Sequence, residues 1–175
     1  MRKNSMTSDN IIFIHGMESS GHGFKGNLFR ERIPGILTPD FREYSPEISY
    51  QELLEERMEQ LNNILEEGKE WKIIGSSFGG LMGSIYCLKH PEKIYKLILL
   101  APLLVVPELD PSKYQKVDVP VIVFHGKNDK VIPVKKTQAR AESLFNNLEY
   151  NIVDDDHMLH PTTETINWMN ILELE

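Results

Sequence analysis

The sequence predicts an α/β fold, a doubly wound and mostly parallel sheet of about six or seven strands with helices on both faces. Three observations predict it. Short runs of Ile, Val, Leu and Phe recur along the chain, and these are continuous rather than alternating, as strands buried on both faces are. Segments with a helical period separate them. One such run, Trp71-Lys72-Ile73-Ile74, leads directly into Gly75-Ser76-Ser77-Phe78-Gly79 and then into a helix-like stretch.

The elements follow in order. Ile11-Ile12-Phe13-Ile14 is a fully apolar strand stopped by His15-Gly16, and a polar loop with Gly21, Gly23 and Gly26 comes after it. Residues 35–38 read as a second strand, ended by Pro39-Asp40. Residues 50–67 read as an amphipathic helix: Leu54, Met58, Leu61 and Leu65 share one face, and glutamates fill the other. Residues 71–76 form the third strand. Residues 78–89 form a helix ended before Pro91, and its Gly79, Gly80 and Gly83 point to close packing on the sheet. Further strands are expected over 94–101, 119–124 and 148–153, with a helix over 134–145 and a last helix over 162–172 whose Ile166 and Met169 face inward. The irregular stretch 102–118, with Pro102, Pro107 and Pro111, is too short for a second domain. The expected organisation is a polar, disordered tail over residues 1–9 and one domain over 10–175.

Composition narrows the class of function. The chain has 175 residues, 41% of them hydrophobic and 26% charged, as in soluble globular proteins. Its net charge of −7 argues against nucleic acid or an anionic membrane as the main partner, since both require a basic face. Cys87 is the one cysteine, so no internal disulfide forms; its apolar helical setting reads as a small core residue. No apolar stretch has the length of a signal peptide or a membrane span, and with the lone cysteine this gives a cytoplasmic expectation.

In a doubly wound sheet, ligands bind beyond the carboxyl ends of the strands, so the polar residues following each strand converge there. Those residues are His15-Gly16-Met17, then Ser77, then His125-Gly126-Lys127-Asn128-Asp129, then Asp154-Asp155-Asp156-His157. The edge thus supplies a serine, an acid and a histidine in that chain order. Ser77, rather than Ser76, is centred between two glycines. Asp129 competes with Asp118 and with Asp154 to Asp156. The latter three are consecutive, so their side chains diverge, which disfavours a metal site with His157 and His160. His157 competes with His160, His125, His22 and His15; His15 and His125 read mainly as loop-shaping residues that hydrogen-bond backbone. Phe24, Phe29, Phe41 and Tyr44 read as core.

Four segments in order carry a family resemblance: Phe13-Ile14-His15-Gly16, Gly75-Ser76-Ser77-Phe78-Gly79-Gly80, His125-Gly126-Lys127-Asn128-Asp129-Lys130-Val131-Ile132-Pro133, and Asp156-His157. With them the chain resembles the α/β-hydrolases, in particular small lidless serine esterases similar to the YqiA-type esterases, over residues 10–172. The resemblance implies a nucleophile elbow at Ser77, His157 as base and then acid, and Asp129 as the carboxylate that orients it. It implies an oxyanion hole made by the backbone N–H groups of Met17 and Phe78. The implied reaction is hydrolysis of a small-molecule carboxylic ester or thioester through an acyl-enzyme, with no metal and no organic cofactor. Larger relatives carry a helical lid where this chain has only 102–118.

Overall fold

The computed structural model describes residues 9–174. The expected tail therefore lies outside the described residues except for Asp9. Five strands form one sheet: β1 (Ile11–Ile14), β2 (Trp71–Ser76), β3 (Ile94–Leu100), β4 (Val121–Gly126) and β5 (Leu148–Val153). They lie in sequential order, and every neighbouring pair is parallel. The helices are α1 (Phe24–Arg32), α2 (Tyr50–Leu65), α3 (Phe78–Lys89), α4 (Val134–Leu144), α5 (His160–Thr165) and α6 (Trp168–Ile171).

Strand alternation splits the core into two layers. Ile12, Ile14, Ile73, Leu97 and Leu99 face one side, where Leu61 and Leu65 of α2, Leu81 and Met82 of α3, and Ala141 and Leu144 of α4 cover them. Ile11, Phe13, Ile74, Ile98 and Leu100 face the other side, against Phe29 of α1 and Trp168 of α6. Phe29 meets Phe13 and Trp168 edge to face, with ring centroids 4.9 Å and 4.8 Å apart. Both faces of the strands are thus buried, which is why they read as unbroken apolar runs.

Several expectations need correction. The strand expected at 35–38 is reduced to a single parallel bridge between Leu37 and Ile12, because Gly35 enters it at φ +76° and Pro39 ends it. The sheet therefore has five strands plus that bridge. The loop expected around Gly21, Gly23 and Gly26 contains α1. A Cβ at Gly26 would collide with the Gly21 carbonyl oxygen, so this glycine serves close packing within a helix rather than a turn. The fourth element of the sheet begins two residues later than expected, after Pro120. The last helix is two: Ile166 is extended, and the Asn167 side chain accepts from Asn170 N–H to start α6. Phe24 is exposed, whereas Phe29 and Phe41 are core and Tyr44 packs against it.

The 102–118 stretch carries two short 3₁₀ turns, Pro107–Leu109 and Pro111–Lys113, and no lid. It is fastened down. One Arg140 Nη1 donates to the carbonyls of Leu104, Val106 and Leu109 at 3.0, 3.0 and 3.1 Å, and Tyr114 Oη donates to Glu108 O at 3.0 Å. No helix among the described residues is long and apolar enough to cross a membrane.

Candidate active site

Ser77 stands between β2 and α3 at φ 53°, ψ −112°, a conformation that non-glycine residues rarely adopt. The surrounding backbone enforces it. Ser77 N–H donates to Leu100 O at 2.9 Å, and Ser77 O accepts from Leu103, Gly80 and Leu81 N–H. At Gly79 a Cβ would collide with the Ile14 carbonyl oxygen, so only glycine lets α3 start this close to β1. The Ser77 hydroxyl is partly exposed and caps nothing, so it is left at the N-terminus of α3 with no hydrogen bond among the described residues.

The loops that carry Asp129 and His157 meet. Asp129 Oδ2, fully buried, lies 2.7 Å from His157 Nδ1. A carboxylate only accepts, so Nδ1 carries the proton and Nε2 is left able to take one. Burial pushes the Asp129 carboxyl up, but N–H groups of Ile132 and Val131 at 2.8 Å each and the His157 bond outweigh it and hold it below the usual range. The same Oδ2 accepts a second bond, from His125 Nε2 at 3.1 Å, a nitrogen that also faces Ile132 O at 3.2 Å. Two acceptors at Nε2 place the proton there. Nδ1 of His125 then accepts from Tyr150 Oη at 2.6 Å. Burial pushes His125 down, which keeps it neutral. The loop-shaping role expected of His125 covers only part of what it does: it binds backbone at Ile132, and it also donates to the Asp129 carboxylate. Tyr150 had no signal in the sequence beyond its place on a strand.

The other candidates sit as follows. His160 begins α5, and its ring stacks on Phe24 at 3.8 Å. Asp155 is buried and caps the chain at Thr162 through N–H and Oγ1, while Asp154 and Asp156 face solvent. Asp118 accepts from Asn146. Exposed His22 pairs with Asp40. Cys87 is buried, and burial pushes its thiol up to about 12, which makes it inert at neutral pH.

Met17 lies in the turn after β1, and Phe78 directly follows Ser77. Phe78 is the first residue of α3, where N–H groups lack intrahelical acceptors, and neither N–H has an acceptor among the described residues. A Cβ at Gly16 would stand 3.8 Å from Ser77 Cβ, so the turn after β1 lies against the elbow. The structure brings Asp129 and His157 into hydrogen-bond contact and Met17 and Ser77 into one neighbourhood. No hydrogen bond joins Ser77 to His157 in this state; such bonds often tighten only when substrate binds.

Behind the Met17 turn lies Arg57 of α2, which is 0% exposed. Burial pulls it down to about 10, which leaves it charged at neutral pH. The amphipathic reading had placed only Leu54, Met58, Leu61 and Leu65 on the inner face of this helix. Arg57, four residues before Leu61 and three after Leu54, falls on that face too. A charge at a core position was the signal that could have found it.

The residues 52–158 match the model of the alpha/beta hydrolase family. The chain belongs to that family. Solved structures agree at the level of the fold. A Xanthomonas campestris protein of the α/β-hydrolase superfamily superposes with a TM-score of 0.77 at 22% identity, covering 94% of this chain and 98% of that one. Alpha/beta hydrolase domain-containing protein 10 from mouse gives 0.70 at 16% identity over 95% and 90%. Est1E from Butyrivibrio proteoclasticus, solved with ferulic acid bound, gives 0.70 at 16% over 94% and 88%. No curated protein matches the sequence.

Proposed function

We propose that this family member is a serine hydrolase that cleaves carboxylic esters or thioesters through an acyl-enzyme, as the similar small YqiA-type esterases would. The observation that carries the reading is the 2.7 Å bond between buried Asp129 and His157 Nδ1 at the sheet edge where the strained Ser77 sits. In the mechanism, Ser77 Oγ attacks the substrate carbonyl carbon while His157 Nε2 takes its proton. The resulting oxyanion accepts from Met17 and Phe78 N–H, and the imidazolium is stabilised by Asp129. His157 then protonates the departing alcohol or thiol. Water repeats the sequence on the acyl-enzyme and frees the acid.

No lid covers the site among the described residues, and two exposed apolar side chains lie on its loops. Val131 on the acid loop is 67% exposed, and Met158 beside His157 is 51% exposed. This favours short or externally presented acyl groups that rest on a shallow apolar rim.

A fluorophosphonate probe tests the assignment. Wild type should label, and Ser77→Ala should neither label nor turn over p-nitrophenyl acetate. Labelling that persists in Ser77→Ala assigns the reactive group elsewhere, and a wild type that stays unlabelled favours a binding role for the same fold.

A further inference from the structure

Arg57 is a buried cation with no carboxylate partner among the described residues. Its donors go to three backbone carbonyls: Nε to Arg42 O at 2.8 Å, Nη1 to Gly16 O at 3.2 Å and Nη2 to Met17 O at 2.7 Å. The face of Phe78 lies beneath it, 5.3 Å from Cζ to the ring centroid. A desolvated charge compensated only by dipoles is costly to a fold. Carbonyls and a ring would be satisfied as well by neutral donors, so the cost calls for a return.

The peptide geometry supplies one. Gly16 C=O and Met17 N–H belong to the same planar trans peptide, so they point in opposite directions. Met17 C=O and Glu18 N–H are likewise paired. A guanidinium that holds both carbonyls on one side turns both N–H groups to the other. His15 makes the grip two-handed. Its Nε2 accepts from Phe41 N–H at 2.9 Å, which forces the proton onto Nδ1, and Nδ1 donates to the same Gly16 carbonyl at 2.8 Å. The second candidate donor is tied in as well, because Phe78, whose N–H is the partner of Met17's, carries the ring under the guanidinium.

We propose that Arg57, with His15, is the positioning residue of the oxyanion hole. It fixes the Gly16–Met17 peptide so that its N–H is already aimed before substrate arrives, and its buried positive charge polarises that peptide and stabilises the negative charge that develops on attack. The negative charge that develops on the substrate oxygen would then face a peptide held by a buried cation. The role is distinct from binding: the ground-state ester is neutral, so Arg57 acts on kcat rather than on KM. The inference rests on the serine-hydrolase reading above.

The test compares Arg57→Met and Arg57→Lys with wild type, each checked for fold by circular dichroism and thermal midpoint. Turnover of p-nitrophenyl acetate is measured together with inhibition by a trifluoromethyl ketone, which forms an anionic tetrahedral adduct on serine. Arg57→Met should lose about 10- to 100-fold in kcat, somewhat less than the loss of a direct oxyanion donor, with KM little changed. Its affinity for the ketone should weaken by the same factor. Arg57→Lys, which keeps the charge but not the three-carbonyl grip, should fall between. A folded Arg57→Met with wild-type kcat, or one that loses kcat while ketone affinity holds, overturns the proposal. If Arg57→Met does not fold, Arg57→Lys decides: matched losses in kcat and ketone affinity support the clamp, and wild-type values for both refute it. Fluorophosphonate labelling separates the two failures. An unlabelled wild type ends the serine-hydrolase reading, whereas a labelled wild type with unaffected Arg57 variants ends only the clamp.

Discussion

The dipeptide His-Gly closes two strands of this sheet, β1 and β4, and the two histidines are used in opposite ways. Both are buried, and burial pushes both down to stay neutral. His15 carries its proton on Nδ1, gives it to the Gly16 carbonyl and takes one from Phe41 N–H. His125 carries its proton on Nε2, gives it to Asp129 and takes one from Tyr150. One ring shapes the turn that would present the proposed oxyanion donor, and the other shares the carboxylate that would orient the proposed base. Identical local sequence thus specifies a buried neutral imidazole but not its tautomer. The tautomer is set by whatever the fold brings to each nitrogen, a backbone N–H from residue 41 in one case and a carboxylate four residues on in the other.

The contrast can be broken most severely at Asp129, which of these two histidines only His125 touches. Asp129→Asn should keep the fold and lose about 10⁴-fold in kcat, as expected when the base loses its tautomer control. Near-wild-type turnover would pass the role to another aspartate. Next comes His125→Ala. Loss of a hydrogen bond to a charged group costs roughly 1.5–3 kcal/mol of stability, and a carboxylate held by fewer donors should orient the base less well and lower kcat, though less than Asp129→Asn does. Asp129 would then direct more of its charge to the imidazolium, so the acid limb of kcat/KM should move to higher pH. His15→Ala should lower kcat without moving that limb; a shift of equal size in both variants would erase the distinction drawn above. Tyr150→Phe is gentler. It leaves His125 Nδ1 buried without a donor, a cost of about 1–3 kcal/mol that a denaturant titration would read, and turnover should fall by less than in His125→Ala.

The smallest effect is on stability against pH. An unfolded histidine titrates near ~6.5, and both buried histidines bind protons only below that value, so the unfolded state takes up protons first as pH falls. Their contribution is present above about pH 6.5 and is lost below it. Asp129 and Asp155 are also held below the ordinary carboxylate value: burial works against this, and hydrogen bonds outweigh burial in each. Their contribution is present above about pH 3.9 and is lost as pH falls through their lowered values. Melting temperature should therefore decline in two stages on acidification. A profile flat from pH 7.5 to 5 would contradict the burial of His15 and His125.

The residues that could be read from sequence are those whose roles follow from the strand just before them. Strand β2, helix α3 and the elbow between them were placed to the residue, because an apolar run, Gly-x-Ser-x-Gly and Pro91 each act locally. Asp129 and His157 were legible because strand ends share one edge of the sheet. What escaped depended on distant chain. Helix α1 looked like a loop, since its Gly26 is explained only by the approach of Gly21. The strand at 35–38 failed because one bridge to Ile12 is all that Gly35 and Pro39 leave room for. Arg57 drew no reading on a helix noted only for its leucines and glutamates, and its partners lie some fifteen and forty residues away at Arg42, Gly16 and Met17. Tyr150 gains meaning only through a histidine on the neighbouring strand.

The guanidinium of Arg140 holds down the span where larger relatives carry a lid. With that span tethered at three points, entry and exit would need no opening motion. Progress curves should then show no lag and no boost from detergent or lipid droplets. An engineer who wished to give this scaffold a gate would have to begin by cutting that tether.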